Sequence, residues 1–207
     1  MSGFLITLVG LLAQLFFSLR ILYQWIKSER AKKIISPALF WVFSIIGSYL
    51  LFIYGWLRDD FSIILGQFLS YYIYLWNLKA NNILQKLPYI LRIILFITPL
   101  IAIGFMLYNF SEVKETLFQN KDIPIWLIIF GSLGQIIFTF RFIYQWIYSL
   151  RKHISILPMG FWVISLVGSI MIISYGIIRQ DIVLILGQST GFIAYTRNIM
   201  IGHKSKI

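Results

Sequence analysis

The chain has no cysteine and few charged residues. Without cysteine it forms no disulfide, no thiolate nucleophile and no cysteine-ligated metal site. Asp, Glu, Lys and Arg make up only 12% of the 207 residues, about half the share of an ordinary soluble domain, whereas hydrophobic residues make up 59%. This composition excludes a soluble globular enzyme and a disordered chain. It predicts a membrane protein that crosses the bilayer several times.

Groups for metal binding and catalysis are also scarce. The two histidines, His153 and His203, are expected in a loop and in the C-terminal tail, where neither shares a helix face with a carboxylate. The sequence has no Ser/His/Asp set and no glycine-rich phosphate loop. We therefore expect no metal site, no cofactor and no catalytic residue.

Long hydrophobic runs account for most of the chain. Because a spanning helix needs about 20 mostly apolar residues, we predict an all-α membrane protein with seven transmembrane helices joined by short loops. The runs cover residues 4–26, 38–57, 61–79, 88–108, 124–148, 159–178 and 182–200.

Basic residues indicate the orientation of these spans. The chain carries 18 Lys and Arg against 7 Asp and Glu, which gives a net charge of +11. With the N-terminus outside, twelve of these cations fall in inner segments and four in outer loops, so the positive-inside rule favours an N-out, C-in topology. We attribute the positive charge to membrane orientation and contact with anionic lipid, and not to nucleic-acid binding.

The most informative feature is an internal repeat. Residues 10–79 align with 131–200 at a constant offset of 121 without a gap, and 29 of the 70 aligned residues are identical, so the copies are in register. Each copy contains three predicted spans, and the unmatched fourth span between them gives both copies the same orientation. The predicted units are a first repeat at 1–80, a linker with the fourth helix at 81–123, and a second repeat at 124–207.

An arginine recurs inside the first predicted span of each copy. Arg20 and Arg141 lie about one and a half turns before the inner end of their spans. An arginine inside a bilayer is costly, so we predict that both bind an anion. Phosphate suits them because a guanidinium donates two parallel hydrogen bonds to it. The alternative is that the two side chains extend to the inner headgroups.

Other polar and aromatic side chains fall at a similar depth and suit the hydroxyls and ring of a sugar headgroup. For Gln and Asn, hydrogen bonding between helices is an equally weighted alternative, and for Trp and Tyr the alternative is an interfacial aromatic belt. Gln14 and Gln135 lie deeper, where they line a path between leaflets or sit among small residues that allow close helix packing. The predicted headgroup-binding residues are Gln24, Gln145, Trp41, Trp162, Gln67, Gln188, Tyr74, Tyr195, Asn77, Asn198 and Arg197.

The repeated motifs resemble those of the lipid A biosynthesis N-terminal domain family. In the first copy they read Arg20-x-x-Tyr23-Gln24-Trp25, Pro37-x-x-Phe40-Trp41 and Tyr74-x-x-Asn77, and the second copy contains each of them again. The copies also differ. Glu29 corresponds to Leu150, and Trp76 corresponds to Arg197. We therefore expect unequal roles for the two halves.

The resemblance implies a three-helix unit similar to that of PQ-loop and SWEET transporters, and hence a SWEET-like 3+1+3 protein of a bacterial inner membrane. It also implies a link to lipid-A-disaccharide synthase, in which such a unit precedes a soluble glycosyltransferase. We find no glycosyltransferase segment in this sequence and expect no enzyme activity from it.

The function implied by this link is binding and translocation of a phosphate-bearing glycolipid or a polyprenyl-phosphate-linked sugar. One alternative is an accessory subunit that presents lipid to a membrane glycosyltransferase, which would be its protein partner. The other is a transporter of a free small sugar.

Overall fold

The chain folds into α-helices alone. In a computed structural model, described for residues 3–57, 61–108, 124–178, 180 and 182–204, it forms seven α-helices, one short 3-10 turn at Leu84–Lys86 and no strand. The all-α prediction is therefore confirmed for this part of the chain. The helices are α1 (Gly3–Ala31), α2 (Ala38–Leu57), α3 (Phe61–Ala80), α4 (Tyr89–Tyr108), α5 (Ile125–Lys152), α6 (Met159–Ile178) and α7 (Ile182–Lys204).

Part of the predicted linker lies outside the described residues, namely 109–123. Arg58, Asp60, Arg179 and Asp181, which belong to the repeated motifs, lie outside them as well.

Three helices continue beyond the apolar runs that predicted them. Helices α1, α5 and α7 each run about one turn further than expected and carry basic residues in their last turns, such as Arg30, Lys152 and Lys204. A positive charge is favourable there because the last turn of a helix exposes unpaired carbonyl groups. The end of an apolar run therefore marks the end of the hydrophobic segment and not the end of the helix.

The bundle has an apolar exterior, and polar side chains are buried among the apolar residues of its core. Two helical segments are long and apolar enough to cross a membrane, Phe4–Ala31 and Met159–Ile178, and two shorter apolar stretches cover Ala38–Tyr54 and Tyr89–Gly104. Large apolar side chains are exposed on α1, α2, α4, α5, α6 and α7. Arginine, glutamine, asparagine and serine side chains are buried between the helices. A surface of this kind suits an apolar surrounding.

The two repeats pack in the same way and meet through equivalent helices. Within the first repeat α2 packs against both α1 and α3, and within the second α6 packs against both α5 and α7. Between the repeats α1 packs against α7 and α3 packs against α5. Each inter-repeat contact thus occurs twice with the roles reversed, as around a twofold axis. Helix α4 packs against α3.

Close helix contact within a repeat depends on small residues. A Cβ atom added to Gly168 of α6 would lie 2.9 Å from the backbone N and Cα of Phe138 on α5. In the first repeat, a Cβ on the equivalent Gly47 would lie 2.9 Å from the Phe17 ring and 3.2 Å from the carbonyl oxygen of Ala13. Both middle helices therefore rest directly on their neighbours, as small residues permit in membrane helices.

We predict that Gly168→Ala destabilises the protein by about 1–3 kcal/mol, because the backbone of Phe138 cannot move aside as a flexible side chain can. Thermal unfolding in mild detergent measures the effect as a lower Tm. Gly104→Ala on α4 is the control, since a Cβ there meets no atom within 4 Å and alanine favours a helix. An equal Tm for both variants would contradict the close contact between α5 and α6.

Candidate binding site between the repeats

Most of the predicted site residues gather at one end of the bundle. At this end α1, α3, α5 and α7 finish, while α2 and α6 begin. Gln24 near the end of α1 reaches the carbonyl oxygen of Ile35 just before α2, and Gln145 of α5 reaches that of Ile156 before α6. The similar depth predicted from the sequence thus corresponds to one shared layer.

Two pairs of amide side chains join the repeats in this layer. Gln24 Nε2 donates to Asn198 Oδ1 at 2.9 Å, and Asn198 Nδ2 donates back to Gln24 Oε1 at 3.0 Å. Gln145 Nε2 donates to Asn77 Oδ1 at 3.0 Å, and Asn77 Nδ2 donates back to Gln145 Oε1 at 3.1 Å. All four side chains are completely buried. The two pairs are equivalent under the repeat, so the amide layer has the same twofold relation as the helices.

The amides also hold the loops that follow α1 and α5. Gln24 Nε2 donates to Ser28 Oγ at 2.9 Å, and this hydroxyl oxygen accepts the backbone N–H of Ile35 at 3.1 Å. Gln145 makes the corresponding bond to Ser149 Oγ at 2.8 Å. The amide hydrogen bonds therefore all run to other parts of the protein. This is the interhelical role considered as an alternative for these residues.

The two buried arginines face one aromatic ring. The Cζ atom of Arg20 lies 5.3 Å from the centroid of Phe142, and that of Arg141 lies 4.6 Å from the same centroid. Arg20 is 5% exposed and Arg141 is 3% exposed. Aromatic faces attract a guanidinium, but such contacts alone do not neutralise its charge. The two halves thus place two positive charges around one side chain in the interior.

Neither arginine has an acidic partner among the described residues. Arg20 Nη1 donates to Ser44 Oγ at 3.0 Å and to Tyr74 OH at 3.2 Å, and Arg141 Nη1 donates to Tyr195 OH at 3.3 Å. The Nε atoms of both arginines are buried without a hydrogen-bond partner. A buried charge is normally paired, so this pair of cations is the arrangement that a bound anion would stabilise.

Trp41 and Trp162 are buried in the interior and not exposed in an aromatic belt. Their rings lie 6.1 Å from those of Tyr74 and Tyr195, respectively. Trp41 Nε1 donates to Ser36 Oγ at 3.0 Å, whereas Trp162 Nε1 is buried without a partner. The difference follows from the sequence, because Leu157 is the residue of the second copy that corresponds to Ser36.

Four of the glutamines that the sequence singled out lie outside this layer. Gln67 accepts a hydrogen bond from Ser48 at 3.0 Å and lies about 15 Å before Asn77 along α3, by helix rise. Gln188 is half-buried at the equivalent level of α7. Gln14 and Gln135 are exposed on α1 and α5, which does not fit the alternative in which they line an interior path.

Arg197 lies at the rim of the layer and forms an ion pair with Glu29, which was not predicted from the sequence. Arg197 Nε donates to Glu29 Oε2 at 2.8 Å, and its Nη2 donates to Glu29 Oε1 at 2.7 Å. This hydrogen-bonded ion pair lowers the pKa of Glu29, which lies beyond the apolar part of α1, to about 2. Both residues differ between the copies, since Leu150 corresponds to Glu29 and Trp76 corresponds to Arg197. These two differences are the sequence feature that could indicate the pair.

The fold and the site define a duplicated helical bundle with an apolar exterior and a cationic, amide-lined layer between its halves. The sequence profile of the Lipid A Biosynthesis N-terminal domain matches the chain twice, at residues 9–79 and 130–200. The chain therefore belongs to this family, and the resemblance noted in its motifs is confirmed.

Several curated relatives are named lipid-A-disaccharide synthase. The chain is 32% identical to that of Chlamydia abortus over 206 residues, 30% identical to that of Chlamydia felis over 205 residues, and 29% identical to that of Chlamydia pneumoniae over 206 residues. These alignments cover 95–96% of the chain but 33% of each relative, so the chain spans about a third of their length. No solved structure matches the chain.

We predict that Gln24 and Asn198 are energetically coupled. Either residue replaced alone by leucine leaves the amide oxygen of its partner buried without the hydrogen bond between them, which costs about 1–3 kcal/mol. In a double-mutant cycle of unfolding free energies, we expect a coupling of about 0.6–2 kcal/mol. The control cycle pairs Gln24 with Asn77, between which the structure records no hydrogen bond. The same coupling in both cycles would count against the amide pairs.

We predict that Glu29→Arg and Arg197→Glu each lower the Tm, because each places like charges together, and that the double exchange restores it. Since both side chains are about one third exposed, the effect should shrink in high salt. The lowered pKa of Glu29 means that the pair stabilises the fold above pH 4.5 and that this contribution is lost as the pH falls through about 2. Failure of the double exchange to recover the Tm would contradict a direct ion pair.

Proposed function

We propose that this chain is a multi-pass protein of a bacterial inner membrane, with seven spans in a 3+1+3 plan and an N-out, C-in orientation. The apolar exterior and the buried polar layer support this placement. The end of the bundle that holds the layer also carries most of the described basic residues, as the positive-inside rule expects for a cytoplasmic face. These include Lys27, Arg30, Lys32, Lys33, Lys79, Lys86, Arg151, Lys152 and Lys204.

In this membrane the chain binds a phosphate-bearing glycolipid or a polyprenyl-phosphate-linked sugar. One observation carries this proposal: Arg20 and Arg141 are buried around Phe142 without an acidic partner among the described residues and with unused Nε donors. A phosphate accepts hydrogen bonds from two guanidinium groups; a phosphomonoester, with a charge of about −2, balances both positive charges, and a phosphodiester balances one of them. Membership of the Lipid A Biosynthesis N-terminal domain family favours a glycolipid as the source of that phosphate.

The headgroup would enter between the repeats at the amide layer. In the structure the amides are bonded to each other, so a sugar that binds there must replace the bonds between Gln24 and Asn198 or between Gln145 and Asn77. Exchange of these bonds for bonds to hydroxyls separates α1 from α7 or α3 from α5. We propose that the repeats rock apart in this way and expose the arginines, which gives translocation of the lipid.

A second candidate is presentation of the lipid to a glycosyltransferase without translocation. The observation that favours it is the relation to proteins named lipid-A-disaccharide synthase, of which this chain matches about a third. A unit found within a longer synthase suits a role in which a lipid is held for a neighbouring reaction. In either role we propose that the chain itself binds lipid and does not catalyse a reaction.

Mass spectrometry of lipid retained after purification in mild detergent tests the proposal. We expect an enriched phosphoglycolipid or polyprenyl phosphate in the wild-type protein and at least a tenfold loss in Arg20→Gln/Arg141→Gln, about 1.4 kcal/mol or more. Arg20→Lys/Arg141→Lys keeps the charge but not the forked contact and should retain an intermediate amount. Arg92→Gln on α4 is the control.

Only bulk phospholipid, equal in all variants, would contradict the anion site. Once the lipid is identified, its movement across proteoliposomes separates the two candidate roles. Flux that depends on Arg20 and Arg141 supports translocation. Binding without flux supports presentation, and uptake of a free sugar with no retained lipid would contradict both.

A further inference from the structure

The outer faces of α3 and α7 are equivalent in the repeat but differ in what covers them. Helix α4 packs on α3, where Tyr71 OH donates to the carbonyl oxygen of Leu95 at 2.9 Å and Tyr72 OH donates to that of Phe96 at 3.0 Å. The residues of α7 that correspond to these tyrosines are Phe192 and Ile193, which are 37% and 59% exposed. No described helix covers this face of α7.

Two open apolar pockets lie along the uncovered seam between α6 and α7. The first has a volume of about 500 Å³ and lies near the end of α7, and the second, of about 360 Å³, lies further from that end. They share no lining residue, and we call the two parts together the outer groove. The first part is lined by Met159, Val163, Ile199, Met200, His203 and Lys204. The second is lined by Ile170, Ile173, Ser174, Ser189, Phe192 and Ile193.

In the second part of the outer groove, the second repeat has smaller side chains than the first repeat has at the equivalent positions. Ser189 corresponds to Phe68, and Ile170 corresponds to Tyr49. In the first repeat the Phe68 ring packs on Tyr72 at 5.2 Å between centroids, and this aromatic layer fills the space up to α4. In the second repeat these aromatic residues are replaced, and no helix of the described part of the chain packs there.

We propose that the outer groove binds one acyl chain of an anionic phospholipid, whose phosphate lies at His203 and Lys204. The inference rests on the membrane placement proposed above and assigns a lipid site separate from Arg20 and Arg141. From Ser189 to Met200 the groove extends about 16 Å by helix rise, which matches the depth of one leaflet, about half of a 30 Å hydrocarbon core.

The chemistry of the groove favours a lipid over another transmembrane helix. Helix α4 is held by tyrosine hydroxyls that donate to its backbone carbonyls, and Phe192 and Ile193 have no hydroxyl to offer. The only polar groups that line the groove near the proposed membrane surface are those of His203 and Lys204, both exposed. An amine at that level complements a phosphate headgroup, whereas a helix would present apolar side chains to it.

Native mass spectrometry of the delipidated full chain, titrated with phosphatidylglycerol or phosphatidylcholine, tests this inference. We expect one phosphatidylglycerol to bind at least about fivefold more tightly than phosphatidylcholine. Ser189→Phe/Ile193→Tyr, which brings in the residues of the first repeat, should weaken that binding at least about tenfold. His203→Gln/Lys204→Gln should remove the preference for phosphatidylglycerol without closing the groove.

Ile136→Tyr on the exposed face of α5 is the matched control and should change neither affinity. Helix content from circular dichroism and the Tm show whether each variant is folded. Unchanged phosphatidylglycerol affinity in the folded groove variant would overturn the inference. So would a loss in the groove variant that Ile136→Tyr shares, because a general surface effect would then explain it.

The variant Arg20→Gln/Arg141→Gln separates this site from the proposed function. It should lose the phosphoglycolipid and still bind phosphatidylglycerol in the outer groove. If it keeps the phosphoglycolipid, the central anion site is contradicted while the groove variants still decide the outer site. If it loses phosphatidylglycerol while its Tm and helix content are unchanged, the two sites are one and the separate site is overturned.

Discussion

The hydrogen bonding of polar side chains inside an otherwise apolar bundle is the constraint on which this structure depends. A glutamine or asparagine that is buried without a partner costs more than one left in water, so each must find another polar group within the protein. Gln24 finds Asn198, and Gln145 finds Asn77. These bonds join α1 to α7 and α3 to α5, and they add a directional contact to the apolar packing between the repeats. The twofold relation between the repeats is a consequence of satisfying the same amides twice.

The same constraint is not met at the arginines, and this is why they stand out. The hydroxyls of Ser44 and Tyr74 satisfy part of the Arg20 guanidinium and that of Tyr195 part of the Arg141 guanidinium, but hydroxyls carry no charge and the Nε donors stay unbonded. Proteins that are consistent at every other level tend to break the rules where they function. Two cations that share one aromatic ring in a polar layer are therefore better explained by a missing anion than by a packing requirement, since leucine at both positions would pack without charge.

Much of the fold could be predicted from the sequence, because hydrophobic runs indicate where the helices lie and a gapless repeat indicates that they occur in two equivalent sets. The common depth of Gln24, Asn77 and their mates was predictable for the same reason. Their pairing was not, since it requires knowledge of which helices touch. Trp41 and Trp162 were misleading in another way, because a tryptophan near the start of a span has the same sequence context whether it faces lipid or protein. For Gln14 the sequence left two alternatives, an interior path and close helix packing, because the direction in which a helix faces its neighbours cannot be read from the run itself.

The differences between the copies follow a spatial order. The arginines, amides and buried tryptophans of the interior layer come in matched sets, although Phe142, the ring that both arginines face, corresponds to Ile21, and Leu157 corresponds to Ser36. Differences lie at the rim, where Glu29 and Arg197 replace an apolar pair by an ion pair, and on the outer faces, where Tyr72 becomes Ile193. A central site to which both halves contribute requires that the arginines and amides in the interior occur in both copies. The outer faces of the two halves differ in sequence, so the halves have different surroundings. Helix α4 packs on the first half, whereas the seam between α6 and α7 of the second half is open.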